Sequence, residues 1–126
     1  MNTALALQHL GFSVDVDFIA SADSLVWLST QPQPSAQEIA AAVLPAAKTA
    51  RIAQINAECR ARLIARFGDA AEQVSRSLGI YGATEKQVLE DGIVACIDAS
   101  NTASNAVLAA ADTAAVEAVT VSWPSI

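Results

Sequence analysis

The residues that most enzymes use for chemistry are scarce in this sequence. It has one histidine, His9, and two cysteines, Cys59 and Cys96, which lack the CxxC or CxxH spacing of a metal site. No P-loop, GxGxxG, HExxH or GxSxG motif occurs. His9 lies near the start of the sequence, where segments commonly fray, so a histidine-dependent triad has no support. We therefore predict a protein that is not an enzyme, that needs no cofactor or metal, and that buries both thiols.

Positive charge and long apolar runs are also in short supply. Lysine and arginine number 7 against 13 acidic residues, so the formal net charge is -6. A surface of this sign repels a phosphate backbone, and no run of about 18 apolar residues is present to span a bilayer. The first residues, MNTALALQHLGF, lack the basic start and long apolar stretch of a secretory signal. We expect no nucleic-acid partner, no membrane partner, and synthesis in a reducing cytoplasm.

Alanine is the residue that the sequence has in abundance. Apolar residues make up 53% of the chain and aromatic residues only 5%, and 28 of the 126 residues are alanine. Alanine favours helix and permits close approach of backbones, so thin, closely packed helices in one domain are expected. We predict an α+β, mainly α, fold with three parts: an N-terminal β-hairpin arm and linker (1–34), a helical hairpin region (35–111), and a short helix with an extended tail (112–126).

The first part of the chain predicts a β-hairpin. Residues 13–19, SVDVDFI, alternate between apolar and polar side chains, which indicates a half-buried strand with its two valines and its phenylalanine turned inwards. Residues 24–29, SLVWLS, form a second β-rich run, so the two runs are expected to pair in antiparallel fashion. Residues 3–10 fit either a short helix or an extended arm, and the pattern does not separate these two interpretations.

The stretch TQPQPSAQEI, residues 30–39, changes abruptly from stiff extended chain to helix. Its two prolines are excluded from a sheet, and Ser35 with Glu38 forms a capping box, S-x-x-E, that predicts a helix start at Ser35. Helical periodicity then continues to Phe67, and Pro45 is expected to kink the helix or split it in two. The second half of the helix carries one apolar stripe, made of Ile52, Ile55, Cys59, Leu63 and Phe67.

Five of the seven basic residues lie on this predicted helix, namely Lys48, Arg51, Arg60, Arg62 and Arg66. A basic helix face can neutralise phosphates, but it can also meet acidic side chains elsewhere in the fold. A short helix between Gly68 and Gly79 is followed by a longer one, over about 85–111, that carries four acidic residues. We favour an antiparallel pairing of the basic helix with the acidic one, because no aromatic platform for bases accompanies the arginines.

The later helix changes character in its middle. Residues 98–105, DASNTASN, are small and polar and leave a narrow surface. One interpretation is a solvated face beside a close helix crossing, and the other is a stripe where a partner helix docks. The residues of this candidate stripe are Ser100, Ala103, Ser104, Val107 and Ala110, and the next candidate surface for a partner is formed by Arg60, Arg62 and Arg66. A short helix capped by Asp112 or Thr113 and an extended run with Trp123 follow.

Three passages resemble the small tail proteins of bacteriophages, namely the tail fibre assembly group and the XkdW-type proteins. LVWLSTQPQPSAQEIAAA resembles an XkdW-type passage, RIAQINAECRARL resembles a helix common in tail fibre assembly proteins, and NAVLAAADTAAVEAVTVSWP resembles their usual close. The resemblance implies a phage tail protein that binds a tail fibre or baseplate partner, as a virion component or an assembly chaperone. It further implies a homo- or hetero-oligomer, located in the virion tail or in the host cytoplasm during assembly.

A second functional class stays open at this stage. A small regulator or inhibitor encoded by a phage or a mobile element would share the same acidic, helical and motif-poor composition, and it would bind a host protein. The two classes differ in the partner that the chain should retain on purification.

Overall fold

The computed structural model describes residues 2–126 and consists of five helices and one two-stranded hairpin. The predicted α+β, mainly α, class is confirmed. In chain order the elements are α1 (Thr3–His9), β1 (Phe18–Ala20), β2 (Leu25–Trp27), α2 (Ala36–Phe67), α3 (Ala70–Ser77), α4 (Ala83–Ala109) and α5 (Thr113–Ala118).

The hairpin is antiparallel, as predicted, but its first strand is shorter than the alternating pattern indicated. Strand β1 pairs with β2 in a register that sets Phe18 opposite Trp27. The preceding residues form a turn, because the Asp17 carboxylate accepts a hydrogen bond from the Ser13 N–H at 2.8 Å and Asp15 adopts a positive φ of 63°. Such local side-chain bonds compete with strand pairing. The predicted strand over 13–19 is therefore wrong in its first part, and both of its valines are exposed.

Residues 3–9 are a helix, which decides between the two interpretations of this segment. The Asn2 side chain caps α1 by accepting a hydrogen bond from the Leu5 N–H at 3.0 Å. Helix α1 packs on α2 and on β1. It completes an N-terminal cluster of buried side chains, formed by Ala6, Leu7, Phe18, Ile39 and Ala42.

Helix α2 begins at the predicted capping box. The Glu38 N–H donates to the Ser35 hydroxyl at 3.1 Å, and the Ser35 N–H donates to the Glu38 carboxylate at 2.8 Å. The helix then runs to Phe67 through Pro45 as one element, so the predicted split at the proline is wrong. A proline removes one helical hydrogen bond. Ala42 and Ala46, on either side of it, are buried, and this packing holds the two halves in a single helix.

Helix α2 joins two separate cores. A C-terminal cluster consists of Ile55 from α2, Ala103 and Val107 from α4, and Val116 from α5. Ile39 of the N-terminal cluster and Ile55 of the C-terminal cluster lie about 160° apart around the helix, at 3.6 residues per turn. The two clusters therefore occupy nearly opposite faces of α2. Helix α1 contacts one face, and α4 and α5 contact the other.

Helices α2 and α4 form the predicted antiparallel pair. Near the end of α2 the Phe67 ring lies so close to Gly92 that an added Cβ would come within 2.8 Å of it. Nearer the start of α2, the Lys48 ammonium donates to the Leu108 carbonyl at 2.7 Å. Residue numbers thus rise along α4 as they fall along the facing part of α2.

The two cysteines lie in this helix pair. Both Cys59 and Cys96 are buried and free, as predicted. Burial raises the pKa of the Cys59 thiol above its ordinary value of 9.0, and the neighbouring Cys96 raises it further, while Arg60 acts in the opposite direction. Both buried cysteines act as small apolar side chains at the α2–α4 contact.

Candidate partner interface

The predicted docking stripe on α4 lies largely inside the protein. Ser100, Ala103 and Val107 are buried, and the last two pack against Ile55 in the C-terminal cluster. The prediction that these three residues bind a partner is therefore corrected, because they lie inside the chain. Their small side chains let α4 approach α2 closely. Ser104 and Ala110 are only half-buried, and for them a role in binding stays a prediction.

The predicted pairing of the basic helix with acids of α4 is wrong. Arg62 forms its ion pair with Glu58 of the same helix at 3.0 Å, and its guanidinium lies 5.0 Å from the centroid of the Trp123 ring. Among residues 2–126, no ion pair joins Arg60, Arg62 or Arg66 to α4. The physical reason is that α2 turns its apolar stripe, not its arginines, towards α4. The three arginines are exposed, and their binding of a partner stays a prediction.

Two other basic residues hold the ends of helices. The Lys48 ammonium donates to the Leu108 carbonyl near the end of α4, and the Arg51 guanidinium donates to the Val119 carbonyl at 2.9 Å, where α5 ends. Cations are favourable at helix C-termini, where carbonyl groups lack helical partners. These two residues therefore have a structural role that the basic-patch hypothesis did not consider.

A surface that the sequence analysis did not select is the most exposed apolar region of the helical part. We define the apolar tip as Val74, Leu78, Ile80 and Tyr81, which lie on α3 and in the turn before α4. Leu78 is 72% exposed and Ile80 67% exposed. Over residues 2–126, fifteen large apolar side chains are exposed, against fourteen apolar residues in the core. Contiguous exposed apolar surface marks interaction sites more often than scattered single residues do.

The backbone of the apolar tip is fixed by a glycine cap at the end of α3. The Gly79 N–H donates to the Arg76 carbonyl at 3.0 Å, and the Ile80 N–H donates to the Ser75 carbonyl at 3.2 Å. Gly79 has a φ of 78°, in the left-handed region that such a cap requires. The chain therefore leaves α3 in one direction, and the backbone of Leu78 and Ile80 is held in one conformation.

Arg76 ties the apolar tip to the two long helices. Its guanidinium donates to the Phe67 carbonyl at 3.2 Å and to the Glu85 carboxylate at 2.8 Å. The same group lies 5.2 Å from the centroid of the Tyr81 ring, within reach of a cation–π contact. One partly buried side chain thus connects the end of α2, the first turn of α4 and the aromatic residue of the tip.

A signal for the apolar tip is present in the sequence. The turn reads GIYG, residues 79–82, with two large apolar side chains between two glycines. Turns ordinarily carry small or polar residues, so large apolar ones at these positions indicate a surface used for contact. The turn presents apolar area and one phenol to solvent. These groups suit binding to the surface of another protein.

Neither protein-family models, nor curated proteins, nor solved structures gave a match to this chain in three separate comparisons. Across residues 2–126, no helix has the length and hydropathy needed to cross a membrane.

Proposed function

We propose that this chain is a non-enzymatic protein that acts by binding another protein through the apolar tip. The observation that carries the proposal is the exposure of Leu78 and Ile80 on a fixed backbone. Covering a fully exposed side chain of this size contributes about 1.5–3 kcal/mol. A partner surface that covers both side chains therefore gains more than the ordering of one or two side chains costs.

The backbone of the apolar tip is already fixed in the free chain, so little of it has to be ordered when a partner binds. The glycine cap of α3 fixes the backbone, and the contacts of Arg76 fix the turn against α2 and α4. Rigid contact residues lose less conformational entropy on association than mobile ones do. Tyr81 adds an aromatic side chain of the type enriched where interfaces concentrate their binding energy.

The partner that we propose is a tail fibre or baseplate protein of a bacteriophage. This assignment is supported by the resemblance of three passages to small phage tail proteins. In this role the chain is a component of the virion tail, or a chaperone in the host cytoplasm during assembly. A small regulator that binds a host protein is the alternative, and it predicts a different partner for the same tip.

Co-expression with tail fibre and baseplate proteins of a bacteriophage tests the proposal. The tagged chain should retain one of these proteins through purification. A double variant, Leu78→Ser with Ile80→Ser, should lose it while the fold is kept. Val16→Ser is the matched control, because Val16 is 70% exposed but lies before the hairpin. The control should bind like the wild type.

Each outcome of that experiment decides something. Retention of a tail protein by the double variant would contradict the use of the apolar tip. Retention of a host protein alone, lost in the double variant, would contradict the tail assignment and favour the regulator. A chain that retains neither kind of partner would contradict the proposed function.

A further inference from the structure

The two cysteines are the reactive side chains that the proposed function leaves unused. Cys59 lies on the apolar stripe of α2, and Cys96 lies on the buried stripe of α4 between Gly92 and Ser100. Both are free thiols, with Cys59 6% exposed and Cys96 fully covered. Because the two stripes face each other, the position of each cysteine along its helix decides whether the thiols meet.

The register of the α2–α4 pair sets the two cysteines at the same level. The Lys48 ammonium contacts the Leu108 carbonyl at 2.7 Å. Cys59 follows Lys48 by eleven residues, and Cys96 precedes Leu108 by twelve, so the two steps along the antiparallel helices differ by only about 1.5 Å. Burial raises the pKa of Cys59, and a side-chain hydrogen bond with Cys96 also raises it, so the two thiols are in contact.

We infer that Cys59 and Cys96 form a redox-sensitive pair that closes to a disulfide between α2 and α4. A disulfide needs Cα atoms about 4.4–6.8 Å apart. Helix axes pack about 8–10 Å apart and each Cα lies about 2.3 Å from its axis, so facing Cα atoms come into this range. Gly92 and Ser100, one turn to either side of Cys96, are small and let the helices approach closely.

Hydrogen peroxide is an oxidant small enough to reach this pair. The Cys59 sulfur attacks one peroxide oxygen, the O–O bond breaks, and the departing hydroxide takes the thiol proton, which leaves a sulfenic acid and one water. The Cys96 sulfur then attacks the Cys59 sulfur, the S–O bond breaks, and the hydroxyl group leaves with the Cys96 proton as a second water. The two thiols lose two electrons, and the peroxide gains them. Cys59 reacts first because only Cys59 has exposed surface.

The disulfide closes the loop that carries the apolar tip. Residues 60–95 lie between the two cysteines and include the end of α2, the whole of α3 and the start of α4. A crosslink over such a loop removes freedom from the unfolded chain and so stabilises the folded one. The raised pKa keeps Cys59 mainly neutral near neutral pH, so closure is slow and needs oxidising surroundings. The inference does not rest on the proposed function, because both thiols lie in the free chain.

Treatment of the folded full chain with hydrogen peroxide tests the pair. Peptide mapping should find Cys59 joined to Cys96 of the same chain. The thermal midpoint should rise by on the order of 10 °C and return to its first value after reduction with dithiothreitol. The double variant, Cys59→Ser with Cys96→Ser, is the matched control for oxidation elsewhere, and its midpoint should not rise.

Single variants test the order of the two steps. Cys96→Ser should stop the reaction at a sulfenic acid on Cys59, which dimedone labels. Cys59→Ser leaves only the covered Cys96 and should be labelled at least about fivefold more slowly. Equal labelling of the two variants would contradict Cys59 as the residue that reacts first.

The wild-type chain decides the pairing even if a variant fails to fold. Peroxide treatment that leaves both thiols free would overturn the inference. So would a disulfide between different chains, or a bond between Cys59 and Cys96 that lowers the thermal midpoint. None of these results bears on the apolar tip, whose binding is tested with other residues.

Discussion

The buried part of α4 and the apolar tip use apolar residues in opposite ways. The α4 positions that face α2, including Ser100 and Ala103, are small and covered. The apolar tip, by contrast, holds Leu78, Ile80 and Tyr81 in solvent. A protein that folds only for its own stability would bury its larger side chains first. Helix α4 uses small residues for its close contact with α2, whereas we propose that the large residues of the tip bind another protein.

The largest expected effect comes from removing the side chain that faces the buried part of α4. Ile55 is fully buried against Ala103 and Val107, so Ile55→Ala leaves a cavity and should cost about 2–5 kcal/mol. Leu78→Ala at the apolar tip should change stability by no more than about 0.5 kcal/mol. Urea unfolding of both variants measures the contrast. Similar losses in the two would mean that the tip belongs to the core.

Adding volume to the same contact should give the next largest effect. Ala103→Leu overfills the space between α4 and α2 and should cost about 1–3 kcal/mol. Ala61→Leu is the matched control, because Ala61 is exposed on α2. Thermal unfolding should separate the two variants. If Ala103→Leu keeps full stability and instead loses a partner, the stripe first predicted from the sequence faces outwards after all.

A smaller effect is expected at a residue that belongs to neither region. Ser35→Ala removes one half of the capping box at the start of α2 and should cost about 1 kcal/mol. Because the cap is local, this variant should retain binding through the apolar tip at its full strength. Unfolding and binding of the same sample give both values, and an unchanged unfolding midpoint would count against the cap.

The smallest effect is a dependence of stability on alkaline pH. The pKa of Cys59 is raised in the folded chain, so the folded state favours the neutral thiol. The Cys59 thiol therefore contributes fully to folding stability below the pKa that it has in the unfolded chain. This contribution is lost as the pH rises through the higher pKa of the folded chain. The unfolding midpoint of the wild type should therefore fall more steeply above pH of about 9 than that of Cys59→Ala. If the unfolding midpoints of the two proteins change with pH in parallel, Cys59 has the same pKa in the folded and the unfolded chain.

Local signals in the sequence predicted much of the fold. The capping box at Ser35 and the apolar stripe that contains Ile55 and Cys59 appear where expected, because each depends on residues within a few turns of one helix. The strand over 13–19 failed for an equally local reason. Its alternating pattern competes with a turn that the Asp17 carboxylate closes on the Ser13 N–H.

The surfaces were harder to predict, because they depend on which faces the helices turn to each other. The spacing of Ala103 and Val107 is the same whether they meet α2 or a partner. Charge alone suggested that Arg62 would reach an acid of α4, whereas the nearest acid is Glu58 one turn earlier on α2. The apolar tip was missed because the periodicity that identifies helices says nothing about a turn, although Ile80 and Tyr81 are visible there in the sequence.

Tyr81 offers the most direct measurement of the central claim, that the apolar tip binds the partner. It is the one tyrosine of the sequence and is 56% exposed, so nitration located on this chain by mass spectrometry reports on the tip. The rate of nitration should be compared for the free chain and for its complex with the fibre or baseplate protein. Strong protection of Tyr81 in the complex is the result that we predict. An equal rate in both states would contradict the assignment of the tip as the binding surface.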